Sequence, residues 1–153
     1  MNLPDDFRDM LACLRDAGVE FVVVGGYAVA HHGHVRATKD LDVFIRPSAE
    51  NAARTMRAMS AFGAPVAALG VSAVDFSTPG RVVQLGVPPL RIDLVTALSG
   101  IDFETATRAP GTLELDGRVV SFIGLDALLI NKRAAGRPQD LADVAALEAM
   151  HRR

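Results

Sequence analysis

Thr38-Lys39-Asp40-Leu41-Asp42-Val43-Phe44-Ile45 alternates carboxylate with apolar side chains and then turns wholly apolar, a pattern that predicts a strand with two unlike faces. Asp40, Asp42 and Phe44 fall on one face, and Leu41, Val43 and Ile45 on the other. Side chains two apart in a strand run parallel from Cα atoms about 6.6 Å apart, so both carboxylates can approach one divalent cation. An isolated Asp-x-Asp is weak by itself, because aspartates often close strand ends and turn into solvent. These two open an apolar run, and a third carboxylate repeats the setting in Arg91-Ile92-Asp93-Leu94-Val95. Carboxylates in such surroundings cost several kcal/mol unless a partner compensates them.

Working outward, Val19-Glu20-Phe21-Val22-Val23-Val24 is rich in β-branched residues and ends at Gly25-Gly26, which predicts a buried strand followed by a turn. Such a turn can offer backbone N–H groups to phosphate. Before it, Leu3, Phe7, Met10, Leu11 and Leu14 recur at helical spacing, with Pro4 suited to the first turn and Gly18 as the stop. After it, a short helix is expected from Tyr27 to His32, and a longer one from the N-cap Ser48 to about Ala61. Strands are expected at Ala64 to Leu69, Arg81 to Leu85 and Arg91 to Thr96. Segments 112–115 and 119–122 flank Asp116-Gly117, a strong hairpin signal. Two helices close the chain, Leu125 to Ala135 and Pro138 to about Met150, parted by Gly136. The fold class is α+β, a mixed sheet with flanking helices, in a single domain over residues 1–153.

Composition narrows the function classes. The 153 residues are 50% hydrophobic and 22% charged, ordinary for one globular domain. No stretch approaches the roughly 20 apolar residues of a membrane span, and the acidic start Met1-Asn2-Leu3-Pro4-Asp5-Asp6 lacks the basic region of a signal peptide. With one cysteine, Cys13, the expectation is a cytoplasmic protein without an internal disulfide. The net charge of −2 argues against nucleic-acid binding through the overall field, so a polynucleotide would need a local patch such as Lys132, Arg133, Arg137, Arg152 and Arg153. A solvated helical surface explains the same residues. His31 and His34 can share a helix face, but zinc would want further Cys or His ligands, and Cys13 is the only thiol.

Gly25-Gly26 ahead of Asp40 and Asp42, with Asp93 on another strand, is the residue set of a metal-dependent nucleotidyl transfer site. Magnesium takes oxygen ligands and commonly one or two carboxylates plus phosphate oxygens. Asp93 could complete a two-metal site or take the nucleophile's proton.

Gly25-Gly26-Tyr27-Ala28-Val29 followed by Arg36-Ala37-Thr38-Lys39-Asp40-Leu41-Asp42-Val43 resembles the signature of the polymerase-β-like nucleotidyltransferase superfamily. The likeness is closest to its minimal bacterial branch, which holds antibiotic nucleotidyltransferases and abortive-infection toxins. The run from Asn131 to Asp143, containing Lys132 and Asp140, is similar to the closing motif of the toxin-like group. The resemblance implies that an NTP is the substrate, that Gly25 and Gly26 hold its phosphates, and that Asp40, Asp42 and Asp93 bind Mg2+ or Mn2+. It further implies that Lys132 reaches a phosphate, that Asp140 orients it, and that Arg36 and Thr38 touch phosphate. Lys132 and Asp140 are equally readable as a surface ion pair between two helices. Many superfamily members have Gly-Ser at the turn where this chain has Gly26, and relatives usually carry an extra helical domain around the acceptor. The acceptor is therefore left open as a tRNA, a protein hydroxyl or a small molecule, with the pocket open or completed by a second copy in a homodimer. The implied setting is a toxin–antitoxin system. A catalytically inactive binding or antitoxin subunit is the alternative.

Overall fold

The computed structural model describes residues 1–87 and 89–152. In chain order the elements are α1 (Asp5–Asp16), β1 (Phe21–Val24), α2 (Gly25–His31), β2 (Asp40–Ile45), α3 (Ala49–Phe62), α4 (Val66–Leu69), α5 (Ala73–Ser77), β3 (Val82–Leu85), β4 (Arg91–Val95), α6 (Phe103–Ala106), β5 (Gly111–Leu115), β6 (Arg118–Phe122), α7 (Leu125–Ala135) and α8 (Pro138–Met150). The six strands form one mixed sheet in the order β3-β4-β2-β1-β6-β5. β2 runs antiparallel to β1 and parallel to β4, and β1 runs parallel to β6. The α+β class read from the sequence is the class observed.

The two faces of β2 are as unlike as its pattern requires. Leu41, Val43 and Ile45 are wholly buried, whereas Asp40 and Asp42 keep partial exposure on the opposite face. α1 contributes Phe7, Met10, Leu11 and Leu14 to the core, and α3 contributes Ala52, Ala58 and Met59. Ser48 caps α3 by accepting the Asn51 N–H at 3.2 Å. The buried Asn51 amide ties the edges of two strands together: its oxygen accepts from the Glu20 N–H at 2.8 Å, and its nitrogen donates to the Glu20 and Arg46 carbonyls at 3.0 Å. This staple aligns the entry of β1 with the exit of β2, and so fixes where Gly25 and Asp42 meet at the other end.

Three expectations shift, and two short helices, α5 and α6, stand where no element was expected. Segment 64–69 is no strand: Pro65 cannot donate to a ladder, and Gly70 in the left-handed region closes the helical turn α4. β1 begins at Phe21, because the Val19 N–H is used at 3.0 Å by the Leu14 carbonyl in closing α1. α2 starts at Gly25 rather than Tyr27, and the short α6 was not anticipated; Asp102 caps it by accepting the Thr105 N–H at 2.8 Å. The hairpin forms as expected, with Asp116 and Gly117 both at positive φ (52° and 81°), the signature of a type I′ turn. Among the described residues no helix is long and apolar enough to cross a membrane. Arg153 lies outside the described residues.

Candidate active site

In the parallel ladder Asp42 is paired with Asp93, and Asp40 with Arg91. Residues two apart share a face, so Asp40, Asp42, Arg91 and Asp93 all project from the same side of adjacent strands. The Arg91 guanidinium lies between two of the carboxylates. Its Nη2 donates to Asp40 Oδ2 at 2.9 Å, while Nε and Nη2 donate to the two oxygens of Asp93 at 3.0 and 3.2 Å. Asp42 has no such partner among the described residues. Burial, then the charges of Asp93 and Asp40, push its carboxyl up to about 6, with Lys132 and Arg91 pulling partly back. Among the described residues the three carboxylates thus have Arg91 as their one hydrogen-bonding cation, and Asp42, which it does not reach, carries the electrostatic cost.

Gly25 is built around that carboxylate. Its φ is +66°, and a Cβ there would lie 2.2 Å from Asp42 Oδ2. Only glycine satisfies both the left-handed backbone and the close approach. Gly26 follows with its Cβ position filled by Thr38, whose Cγ2 and Oγ1 would stand 2.6 and 2.8 Å away.

Two clefts open from the aspartates. The first, about 330 Å³, is walled by Arg91 and Asp93 on one side and by Ser99, Asn131 and Ala135 on the other. The second, about 280 Å³, is lined by Gly25, Gly26, Arg36, Thr38, Lys39 and Gln139. Gly25, Asp40, Asp42, Lys132, Arg137 and Asp140 border both. The nine residues that the resemblance assigned to the site, Gly25, Gly26, Arg36, Thr38, Asp40, Asp42, Asp93, Lys132 and Asp140, all border one or both clefts.

Lys132 and Asp140 are no surface pair: they are 5% and 1% exposed. Lys132 Nζ lies 3.1 Å from Asp140 Oδ1 and 3.2 Å from Asp143 Oδ2. Asp143, which the sequence reading passed over as a site residue, is completely buried and receives Arg36 in a two-pronged pair, Nε to Oδ1 at 2.8 Å and Nη2 to Oδ2 at 2.9 Å. Gln139 adds a third bond to it at 3.0 Å. Asp140 also accepts the Arg137 N–H at 3.2 Å, one turn before it, which together with Pro138 defines the start of α8. Burial, the largest influence on both aspartates, would raise their carboxyls. The hydrogen bonds from Arg137 and Lys132 to Asp140, and from Arg36 and Lys132 to Asp143, outweigh it and hold both below the usual aspartate value. Arg36 thus ties the segment ahead of β2 to α8, and Lys132 is held beneath the clefts by two carboxylates.

The two residues missed left faint traces. Arg91 lies two positions before Asp93 and so shares its face, and Asp143 lies three after Asp140 and so shares its side of a helix. Two of the histidines serve the fold: His31 stacks on Phe122 with ring centroids 4.4 Å apart, and His32 Nε2 lies 2.7 Å from the Ile123 carbonyl. Among the described residues no three His, Cys, Asp or Glu side chains stand ready as a metal cage.

The family described as "Nucleotidyl transferase of unknown function (DUF2204)" matches residues 4–153. A comparison with curated proteins finds no match. Among solved structures, a putative nucleotidyltransferase from Thermotoga maritima superposes with a TM-score of 0.57 at 16% identity, covering 94% of this chain and 87% of that one. The lincosamide antibiotic adenylyltransferase LnuA, bound to lincomycin, superposes at 0.55 with 12% identity, covering 98% of this chain and 99% of its own. The antibiotic-resistance factor ANT(2'')-Ia gives 0.54 at 15% identity, covering 95% and 82% respectively. At these identities the likeness establishes a shared fold.

Proposed function

The chain belongs to the family of nucleotidyl transferases of unknown function, and from that premise we propose that it moves a nucleoside monophosphate from an NTP to a hydroxyl acceptor with the help of Mg2+. The observation that carries this reading is the pairing of Asp42 with Asp93 across β2 and β4, with Asp40 on the same face at the junction of two clefts.

The donor set fits magnesium. Asp42 is partly buried beside two like charges, lacks a hydrogen-bond donor among the described residues, and is destabilised as a carboxylate, so a cation relieves a cost already present. Asp40 and Asp42 would hold the ion, and Asp93 is available once Arg91 turns away from it. The ion, when bound, would supply positive charge to offset the triphosphate. The chain's own groups do the remainder. Gly25 and Gly26 let backbone approach the phosphates, and Arg137 and Lys39, on the rim of the second cleft, offset their charge. Asp93, where it does not ligate the ion, would take the acceptor's proton as the new oxygen–phosphorus bond forms and the bond to the departing pyrophosphate breaks. Catalysis rests on alignment and charge rather than on a covalent enzyme intermediate.

The acceptor enters through the first cleft, where Ser99 and Asn131 offer polar atoms without charge. Its class is a hydroxyl of a tRNA end, a protein or a small molecule. The resemblance of the 131–143 run to abortive-infection toxins supports a place in a toxin–antitoxin pair. The test is incubation with each α-labelled NTP and Mg2+, offering tRNA, the protein itself and an aminoglycoside in turn. Label transfer with pyrophosphate release supports the reading, and absence of transfer to every acceptor together with absence of NTP binding refutes it.

A further inference from the structure

We propose that the acceptor is a small molecule whose hydroxyl is carried on an apolar chain or ring, and that this apolar part is seated in a separate cavity beyond Ala97. The inference rests on the nucleotidyl-transfer reading above and names the acceptor class for that site.

The active face of the sheet changes character along its length. On β2 and β4 its rows run Asp40 with Arg91, Asp42 with Asp93, then Phe44 with Val95. Rows on one face lie about 6.6 Å apart, so charge gives way to hydrocarbon one row beyond the reacting centre. A cavity of about 420 Å³ opens there, within the roughly 300–1,000 Å³ of small-molecule sites. Its apolar wall is Phe44, Pro47, Pro79, Ile101 and Phe103, with the Phe44 and Phe103 rings edge to face at 5.2 Å. Ala97 borders both this cavity and the first cleft, whereas the cavity and the second cleft share no residue. The cavity therefore adjoins the acceptor's side of the site and not the triphosphate's.

The polar members of the wall are already engaged. Arg46 lies over the Phe103 ring, 4.6 Å from its centroid, and is ion-paired with Glu20 and Glu104. Thr96 Oγ1 donates to the Thr78 carbonyl at 2.7 Å and accepts the Arg81 N–H at 2.8 Å. Asp102 caps α6 and Ser48 caps α3. What remains for a ligand is contact with hydrocarbon and ring faces, so the cavity selects by burial of apolar surface. A polyanionic tRNA end gains little from such walls. The turn between the two openings is fixed in place: Leu98 and Ile101 bridge each other, and Asn131 Nδ2 donates to the Ser99 carbonyl at 3.0 Å. Leu98 lines the first cleft and Ile101 the cavity, so one acceptor can span the turn with its hydroxyl beside Asp93 and its apolar end past Ala97.

The n-alkanols from methanol to hexanol supply a graded probe, since they share one hydroxyl and differ only in hydrocarbon. Transfer from each α-labelled NTP with Mg2+ is measured for every alcohol, beside NTP binding by calorimetry and melting curves to report folding. In the wild-type chain kcat/KM is expected to rise about fourfold per methylene once the chain passes Ala97, the gain from burying one CH2 group. Ala97→Leu, which narrows the passage, is expected to flatten that rise, and Ile101→Thr, which makes the wall polar, to lower its slope. Both variants are expected to bind NTP as the wild type does. Equal kcat/KM along the wild-type series, or an unchanged slope in a folded Ala97→Leu, overturns the assignment. Transfer to tRNA but to no alcohol, or NTP binding without transfer to any alcohol, also overturns it while leaving the nucleotide site standing. Absence of NTP binding by the wild-type chain overturns both readings.

Discussion

Asp42 on β2 and Asp93 on β4 are direct partners in a parallel ladder, so their carboxylates leave the sheet side by side and on the same face as Asp40. The arrangement concentrates negative charge at a partly buried point where, among the described residues, Arg91 is the one cation in direct contact with the cluster. A fold tolerates such a cost where function requires it.

The cost has a sign that can be measured. The Asp42 carboxyl titrates at about 6 in the fold against an ordinary 3.8, so between those values the folded chain keeps a proton the unfolded chain has released. The group's contribution to stability is fully present below about pH 4 and is lost as pH rises through about 6. Asp42→Asn removes the penalty. The ligand-free variant is expected to be more stable than wild type above pH 6 by on the order of 2 kcal/mol, or about 4–8 °C in melting temperature, and not at pH 4. Melting curves from pH 4 to 8 check this.

Arg91 supplies the cluster with its own cation. Arg91→Gln is expected to lower stability near pH 7 and to bind Mn2+ severalfold more tightly without nucleotide, because the ion no longer competes with a guanidinium. Mn2+ titration followed by electron paramagnetic resonance reads the affinity directly. Equal affinity in the two proteins would show that Arg91 does not stand where the ion binds.

Gly25 and Gly63 both adopt positive φ, but only Gly25 has Asp42 in the path of a Cβ; nothing lies within 4 Å at Gly63. Gly63→Ala is expected to cost about 1 kcal/mol of stability and leave nucleotide binding alone. Gly25→Ala is expected to displace the Asp42 carboxylate and abolish binding. Denaturant unfolding beside NTP calorimetry separates the two effects.

Asp143 anchors Lys132 and Arg36 without exposure of its own. Asp143→Ala leaves a buried ammonium short of a partner and is expected to cost about 3 kcal/mol, or about 6–12 °C. Lys132→Met with Asp143→Leu, which removes charge from both sides, should lose less. Thermal melts of the single and double variants decide it.

The sequence carried the sheet and the three aspartates because those features are local: alternation on β2, a repeated setting around Asp93, and a glycine turn after an apolar strand. It misread segment 64–69, where an apolar run with alanine suits a helical turn as readily as a strand and Pro65 decides between them. The hydrogen-bond partners of the site were the hidden part. Arg91 and Asp143 matter through register, one across β2 and β4 and the other across α7 and α8, and register is not written in any single segment. The burial of Lys132 and Asp140 was hidden for the same reason, since α7 and α8 taken singly show only charged residues near their ends.

The most direct test of the account is thermal stability with each NTP, with and without Mg2+, for wild type and Asp42→Asn. An NTP at ~100 times its dissociation constant should stabilise the wild-type chain by roughly 2.7 kcal/mol, only when Mg2+ is present, and should leave Asp42→Asn unmoved. Stabilisation that persists in Asp42→Asn, or no stabilisation by any NTP in wild type, would contradict the assignment of this aspartate cluster as a nucleotidyl transfer site.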